Sequence, residues 1–249
     1  WSSPYNISSF LGEFVGLLPG PGNGVQMSSG PHRGRIFFAG HYETAERSAG
    51  MVVVYYSDDG GKTFALTPAR FPYMDESNLA IVNAGGEQDR LVISMRNDPA
   101  HPAPGTGNAS MCHCRAMAHS DDAGASWSGL RYVDDLKDPI CEGSIASAGG
   151  PGKLMFSNPP MTSARANLSI HFSSDSASSW PTKLPLADSA ALSDYSSLVV
   201  GPVGGKNGTV GGVLWGSCSF PIPFRPWCVP LEPLGSSGWN IYFTKFPLP

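Results

Sequence analysis

Charged side chains are scarce in this chain. Asp, Glu, Lys and Arg make up only 14% of its 249 residues, against roughly 25% in an average domain. Sixteen basic and 20 acidic residues leave a formal net charge of −4, and no segment concentrates Lys and Arg. Because a protein that binds nucleic acid needs clustered positive charge to neutralise phosphates, we expect no nucleic-acid partner.

Long apolar segments and helix signals are also lacking. The longest apolar stretches, such as residues 51–56, are far shorter than the roughly 20 residues that span a bilayer, so we expect no transmembrane span. Gly and Pro contribute 30 and 23 residues, and short apolar runs alternate with breaks that are rich in them. With 41% hydrophobic residues the chain can still bury a core. These features exclude an all-α protein and predict an all-β fold.

Cysteines are too few for a disulfide scaffold, and their odd number, five, leaves at least one thiol free or paired outside the chain. Cys218 and Cys228 flank a Pro-rich segment, and we expect a disulfide between them in an oxidising compartment, with two buried thiols as the alternative. Cys112 and Cys114 could suggest a metal site. Alternating residues of a strand point to opposite faces, however, and no second pair of ligands is in view, so we expect structural cysteines and no metal.

One pattern occurs three times, at residues 57–64, 120–127 and 173–180. It consists of Ser, Asp, Gly and Ser or Thr at alternate positions, followed by an aromatic residue. Its members are Ser57, Asp59, Gly61, Thr63 and Phe64; Ser120, Asp122, Gly124, Ser126 and Trp127; and Ser173, Asp175, Ser179 and Trp180, with Ala177 at the glycine position of the third copy. The pattern predicts a tight turn in which the Asp side chain binds backbone N–H groups, Gly adopts a positive φ, and the aromatic ring packs beneath.

The spacing of the three copies predicts a β-propeller. A strand-like run precedes each turn, and the aromatic positions lie about 50 to 65 residues apart, which is typical of blades built from four short strands. A chain of 249 residues holds about four such blades. Trp1 lies one repeat before Phe64, so we expect the chain to begin at the end of a repeat. A single copy could be an incidental turn, whereas three copies at this spacing favour blades.

Together with these turns, three further segments resemble the sialidases (exo-α-neuraminidases), in particular those of lysosomal and bacterial type. The turns resemble the Asp boxes of that family, residues 19–26 its PGxGxQ stretch, residues 112–115 its HCHCR and residues 138–145 its DPxCQGSI. The resemblance implies that residues 1–249 are a partial sialidase domain. About four blades of a six-bladed propeller are then present, without the first blade and most of the second.

The resemblance also implies a location in the lysosome or outside the cell. Four Asn-X-Ser/Thr sites agree with a secretory route. They begin at Asn6, Asn108, Asn167 and Asn207.

The activity implied by the resemblance is that of an exo-α-sialidase, which removes terminal α-linked sialic acids from glycoproteins, glycolipids and oligosaccharides and needs no cofactor. The substrate carries a carboxylate on its anomeric carbon. That carboxylate favours Arg as its ligand and repels an anionic nucleophile, so the family uses a Tyr that Glu activates. By motif position, Arg96 and Arg165 match two of its carboxylate-binding arginines. Tyr195 matches the nucleophile, and Glu76 matches the carboxylate that polarises its hydroxyl. Outside this context, surface ion pairs and a packed Tyr would be the ordinary interpretation.

Three more residues receive a substrate-binding role from the resemblance. His41 and Tyr42 follow a predicted strand at residues 35–39 and would lie at the rim of the pocket, with ordinary turn residues as the alternative. Glu142 stands where the family has Gln. It would lie near the glycerol tail of the substrate or near the leaving group.

Some features of the family have no counterpart here. The family's first carboxylate-binding Arg and its Asp general acid are both lacking. In addition, the family commonly has LYE where this chain has Leu214, Trp215 and Gly216. We therefore expect the chain by itself to be inactive or impaired. The alternative function is a non-catalytic Asp-box propeller that binds glycans or protein partners through its loops. A mere scaffold has no reason to carry the Arg96, Arg165, Tyr195 and Glu76 set.

Overall fold

The computed structural model describes residues 3–12, 16–43, 50–187, 192–203, 206–218 and 239–248. In these residues the chain forms β-strands β1 to β16 and two short 3₁₀ helices, Ser8–Leu11 and Ala109–Met111. The strands make four antiparallel sheets that follow one another along the chain as four propeller blades. The predicted all-β fold is confirmed.

Each sheet is built from consecutive strands. The first contains β1 (Leu18–Pro19), β2 (Val25–Gln26), β3 (Ile36–Glu43), β4 (Gly50–Ser57) and β5 (Ala65–Pro72). The second contains β6 (Met74–Val82), β7 (Arg90–Asn97), β8 (Cys114–Ser120) and β9 (Ser128–Lys137). The third contains β10 (Ser144–Ser147), β11 (Leu154–Asn158), β12 (Ser169–Ser173) and β13 (Thr182–Pro185), and the fourth β14 (Leu192–Val203), β15 (Lys206–Cys218) and β16 (Trp239–Pro247).

Alternating residues of the central strands contribute to different hydrophobic cores. Leu79 and Leu91 belong to the cluster between the first and second sheets, while their neighbours Ala80 and Val92 belong to the cluster between the second and third. A third cluster joins the third and fourth sheets through Met155, Ile170, Leu198, Val213 and Phe246. Because successive side chains of a strand point to opposite faces, the second and third sheets pack against both neighbours. This stacking brings the first strands of the sheets, β6, β10 and β14, side by side.

The three repeated turns have the predicted hydrogen bonds. In the first, the Ser57 hydroxyl donates to Asp59 (2.8 Å) and accepts the Gly61 N–H (2.8 Å). The Asp59 carboxylate accepts the N–H groups of Lys62 and Thr63, each at 2.9 Å. Side chains of the turn thus pair the backbone groups that a strand partner would otherwise satisfy.

The third turn keeps this geometry although it lacks the glycine. The Ala177 N–H donates to the Ser173 hydroxyl at 3.0 Å, and Ala177 adopts a φ of 71°. The aromatic residues pack beneath the turns as predicted. Phe64 contacts Phe38, Trp127 contacts Phe71 and Trp180 contacts Phe156, with ring centres 5.7 to 6.2 Å apart.

Cys112 and Cys114 form a disulfide, and Cys141 is a buried free thiol. The prediction that Cys112 and Cys114 are structural agrees with this bond. The predicted pairing of Cys218 with Cys228 lies outside the described residues. In the described part of the chain, no helix is long and apolar enough to cross a membrane, and no group of three His, Cys, Asp or Glu side chains could hold a metal ion.

Candidate active site

The first strand of the second sheet, β6, and the first strand of the fourth sheet, β14, each contain a β-bulge. On β6, Asp75 and Glu76 lie opposite the single residue Arg96 of β7, because the register shifts between Met74 and Ser77. On β14, Asp194 and Tyr195 lie opposite Gly216 alone, because the register shifts between Ser193 and Ser196. A bulge bends its strand and redirects the side chains it carries.

The side chains of Tyr195, Glu76 and Arg96 form one hydrogen-bonded chain. The Tyr195 hydroxyl donates to Oε1 of Glu76, although the two residues are 119 positions apart. Nη1 of Arg96 lies 2.7 Å from Oε2 of Glu76. The Glu76 carboxylate, the predicted base, therefore joins the predicted nucleophile Tyr195 to Arg96, one of the two predicted carboxylate-binding arginines.

The environment keeps the Tyr195 phenol protonated. Partial burial raises its pKa above the ordinary value of 10, and the hydrogen bond to Glu76 and the negative charge of that carboxylate raise it further, while Arg96 opposes the shift. Loss of the phenolic proton thus requires a base in contact with the hydroxyl. Glu76 is the group that makes this contact.

Arg165 approaches Tyr195 from the segment between β11 and β12. Its Nη1 lies 2.7 Å from Oδ1 of Asp194, its Nη2 donates to the Ile140 carbonyl at 2.8 Å, and its guanidinium carbon lies 5.8 Å from the centre of the Tyr195 ring. The Cys141 thiol donates to the same Asp194 oxygen at 3.2 Å. Burial raises the pKa of this thiol, so that it acts as a neutral donor.

His41 reaches the site through Asp75. Its Nε2 lies 3.0 Å from Oδ1 of Asp75, whose Oδ2 is 3.7 Å from Nη1 of Arg96. His41 is buried, and Tyr42 beside it on β3 is partly buried. Of the two residues predicted at the rim, His41 is thus linked to Arg96 through the Asp75 carboxylate.

Glu142 is also buried, with only 1% of its surface exposed. Its Oε2 accepts the Ser196 N–H at 2.9 Å. Burial raises the pKa of Glu142 to about 8, although the Ser196 N–H and the charge of Arg115 oppose the shift.

A cavity of about 670 Å³ lies beside these residues, within the range of small-molecule sites. Arg165, Asp194 and Tyr195 contribute polar groups to its wall, and Leu214 and Trp215 contribute apolar surface. The buried Glu142 adjoins this wall. Tyr195 connects this wall to Glu76, which in turn binds Arg96. A ligand with one anionic end and an apolar flank would fit such a wall.

Several residues that support these groups were not predicted from the sequence. Asp75 and Asp194 each precede a predicted site residue and each bind an arginine. Arg115 is completely buried and donates to Asp138 (3.1 Å), to the Cys141 carbonyl (2.7 Å) and to the Glu76 carbonyl (3.4 Å). A signal for Arg115 was available, because an arginine in the middle of an apolar strand needs buried partners.

The comparisons with known proteins agree with this architecture. The family described as BNR repeat-like domain matches residues 1–207. Among curated proteins, the chain is 29% identical over 210 residues to a sialidase of Bacteroides fragilis, with 80% of this chain and 34% of that protein covered. It is 28% identical over 193 residues to a sialidase of Micromonospora viridifaciens, with 74% and 27% covered. The chain therefore spans about a third, or less, of the length of these relatives.

Solved structures with a similar fold include three sialidase-type proteins. A Hadza microbial sialidase superposes with a TM-score of 0.61 at 24% identity, covering 80% of this chain and 35% of that one. The leech intramolecular trans-sialidase in complex with 2,7-anhydro-Neu5Ac has a TM-score of 0.63 at 19% identity, with 93% and 32% covered. The Trypanosoma rangeli sialidase in complex with the inhibitor DANA has a TM-score of 0.52 at 15% identity, with 79% and 30% covered. At these identities the likeness concerns the fold.

Proposed function

The chain belongs to the BNR repeat-like domain family, its curated relatives are sialidases, and on this premise we propose that the protein that contains it is a retaining exo-α-sialidase. Its substrates would be terminal α-linked sialic acids of glycoproteins, glycolipids and oligosaccharides. The observation that carries the proposal is the contact of the Tyr195 hydroxyl with Glu76, with Arg96 and Arg165 on either side.

The two arginines would bind the substrate carboxylate. A guanidinium is planar and permanently charged, and it offers parallel N–H donors that match the two oxygens of a carboxylate. Arg96 is held by Glu76 and Arg165 by Asp194. These contacts orient both cations before a substrate enters.

Tyr195 would attack the anomeric carbon of the sialic acid as Glu76 accepts the phenolic proton. The bond from that carbon to the aglycone oxygen would break, and the aglycone would leave with a proton taken from water or from an acid of the intact protein. A neutral phenol avoids the repulsion that a carboxylate nucleophile would meet from the substrate carboxylate. Water would then attack the same carbon and the bond to the phenolic oxygen would break. Glu76 would return its proton to the phenolate, and the proton released by the water would replace the one given to the aglycone. Two inversions at one carbon give retention of configuration.

Tyr195→Phe and Glu76→Gln test this proposal in the intact protein with a fluorogenic sialoside. We expect kcat to fall about 10²- to 10⁴-fold in each variant, because one loses the nucleophile and the other its base. Tyr56→Phe is the matched control, since it removes a tyrosine hydroxyl from β4, outside the site. Undiminished turnover by Tyr195→Phe would contradict the assigned nucleophile. Binding of 3′-sialyllactose by the wild-type protein without turnover would favour the non-catalytic propeller.

A further inference from the structure

Glu142 and Ser144 bind the free edge of the strand that carries Tyr195. β14 is the first strand of its sheet and pairs with β15. On its other side, the beginning of the strand meets the backbone of residues 165–166, through a bridge between Leu192 and Ala166 and through the Ser193 N–H, which donates to the Arg165 carbonyl at 2.9 Å. Further along this side, N–H groups of β14 are bound by side chains. Among them, Ser196 donates to Oε2 of Glu142 at 2.9 Å, and Leu198 donates to the Ser144 hydroxyl at 3.0 Å. The two donors, Ser196 and Leu198, are two residues apart, and so are the two acceptors, Glu142 and Ser144. This is the period of a β-strand, so the two side chains take the place of two hydrogen bonds from a neighbouring strand.

The first of these bonds lies at the bulge and the second beyond it. Ser196 directly follows Tyr195 and is the residue at which regular pairing with β15 resumes. A bulge leaves its extra residue without a ladder partner. The bulge is therefore held from outside the sheet on both sides, by the Ser193 N–H, which donates to the Arg165 carbonyl, and by the Ser196 N–H. Of the two, the Ser196 N–H belongs to the residue directly after Tyr195, so its bond can set the direction of the Tyr195 side chain.

Glu142 is itself attached to a rigid support. The preceding residue, Cys141, donates its N–H to Asp138 at 2.8 Å and accepts Arg115 on its carbonyl at 2.7 Å. Arg115 also reaches the carbonyl of Glu76. The chain of contacts thus runs from the backbone of the proposed base, through buried groups, to the backbone beside the proposed nucleophile.

From these contacts we infer that Glu142 is a positioning residue for Tyr195: by accepting the Ser196 N–H it holds the phenol in hydrogen-bond contact with Glu76. The inference rests on the proposed function, and it gives Glu142 a role through the backbone of β14 in place of a contact with substrate. Its other oxygen, Oε1, is buried and has no hydrogen-bond partner among the described residues. One acceptor atom is all that the role requires, and an amide supplies it equally well.

The test compares Glu142→Leu, Glu142→Gln and Ser144→Ala in the intact protein with a fluorogenic sialoside. We expect Glu142→Leu to lower kcat about 10- to 100-fold with KM within about threefold of wild type, since a small displacement of a reacting group costs that much. Glu142→Gln keeps the acceptor and should stay within about threefold of wild type in both parameters. Ser144→Ala removes an equivalent bond to the same strand and should lower the melting temperature without changing kcat. Glu142→Met replaces Glu142→Leu if the latter does not fold.

Amide hydrogen exchange provides a readout that does not depend on activity. We expect the Ser196 N–H to exchange faster in Glu142→Leu than in wild type or Glu142→Gln, and Ser144→Ala to affect Leu198 instead. Wild-type kcat or unchanged exchange in Glu142→Leu would overturn the inference. So would a Glu142→Gln variant as slow as Glu142→Leu, because the carboxyl and not the hydrogen bond would then be required. An inactive wild-type protein would contradict the proposed function alone, and the exchange data would still decide the role of Glu142.

Discussion

At the scale of single residues, the candidate site consists of two arginines that are each matched by an acid. Glu76 and Asp75 face Arg96, and Asp194 faces Arg165. The matching limits the cost of keeping these two largely buried cations in place without a ligand. It also holds each guanidinium in one orientation, which a substrate carboxylate can share.

The orientation of Arg165 leads to a prediction about binding. Arg165→Lys keeps the charge but loses the fork of donors that now reaches Asp194 and the Ile140 carbonyl. Hydrogen bonds to charged groups contribute about 1.5–3 kcal/mol, so we expect KM for a sialoside to rise about 10- to 100-fold. Steady-state kinetics of the intact protein measure this. Arg90→Lys, which alters an ion pair with Asp121 on a repeated turn, is the control and should leave KM unchanged.

The buried carboxyl of Glu142 leads to a prediction about pH. Its pKa is about 8 in the folded protein and about 4.3 in an unfolded chain. Between these values the unfolded state loses the proton and the folded state keeps it, so the wild-type protein loses stability as pH rises from about 4.5 to 8.

Glu142→Gln removes this effect. We expect the variant to match wild type in free energy of unfolding near pH 4 and to exceed it by about 4–5 kcal/mol at pH 8 and above. Urea unfolding at pH 4, 6 and 8 measures the difference. A difference that does not change with pH would contradict the assignment.

At the scale of elements, the bulges position residues of the candidate site, whereas the repeated turns stabilise the blades. The bulges on β6 and β14 each place two consecutive residues opposite one, which turns Glu76 and Tyr195 toward each other. In the second blade, the repeated turn follows β8 at the end of the sheet opposite to Glu76 and Arg96. The repeated turns are structural elements whose stability depends on residues in the left-handed region of backbone conformation.

The second turn gives a prediction about stability. Gly124 has a φ of +84°, and a Cβ there would lie 3.1 Å from both the Phe37 ring and the Thr67 methyl group. Gly60 has a φ of +74° with open space around it. We expect Gly60→Ala to destabilise the protein by about 1 kcal/mol through backbone strain alone. Gly124→Ala should cost about 2–3 kcal/mol, because overpacking is added to the strain. If urea unfolding gave the same loss of free energy for both variants, Phe37 and Thr67 would have to move away from the new methyl group at little cost.

At the scale of the whole molecule, buried polar groups connect one sheet to the next. Asp89, just before β7, accepts the N–H groups of Ser28 and Ser29 from the segment between β2 and β3, at 2.6 and 3.0 Å, and both of their hydroxyls at 2.9 Å. Burial opposes its ionisation, but these hydrogen bonds hold the pKa of Asp89 below its ordinary value. Its contribution to stability is therefore present at neutral pH and is lost as pH falls through the pKa of the folded state.

Removal of this link should weaken the whole stack. We expect Asp89→Ala to lower the free energy of unfolding at pH 7 by about 2–4 kcal/mol, since four donors lose their acceptor. Asp58→Ala is the control, because it breaks an exposed ion pair with Arg35 and should cost less than about 1 kcal/mol. Guanidinium-induced unfolding measures both. If both variants lost a similar free energy of unfolding, the hydrogen bonds of Asp89 would contribute no more to stability than an exposed ion pair does.

Much of the fold could be predicted because its signals are local. The apolar run at residues 51–56 forms most of β4, and the Ser, Asp and aromatic positions of the three turns identify the ends of strands. The candidate site was predicted by motif position alone, and the roles of its residues stay predictions. The bond between Cys112 and Cys114 was not predicted, since the pairing of two cysteines does not follow from spacing. The contacts of Arg115 were not predicted either, because its place in an apolar run indicates that it needs buried partners but not which residues they are.

The sequence by itself determined the blades, because each turn closes its own hydrogen bonds within nine residues and each strand alternates between two faces. Only the tertiary structure decided that Tyr195 meets Glu76 and that Glu142 turns away from solvent to bind the Ser196 N–H. Those contacts join residues more than fifty positions apart. They depend on the stacking of successive sheets and on two shifts of strand register, and no local pattern of residues encodes either.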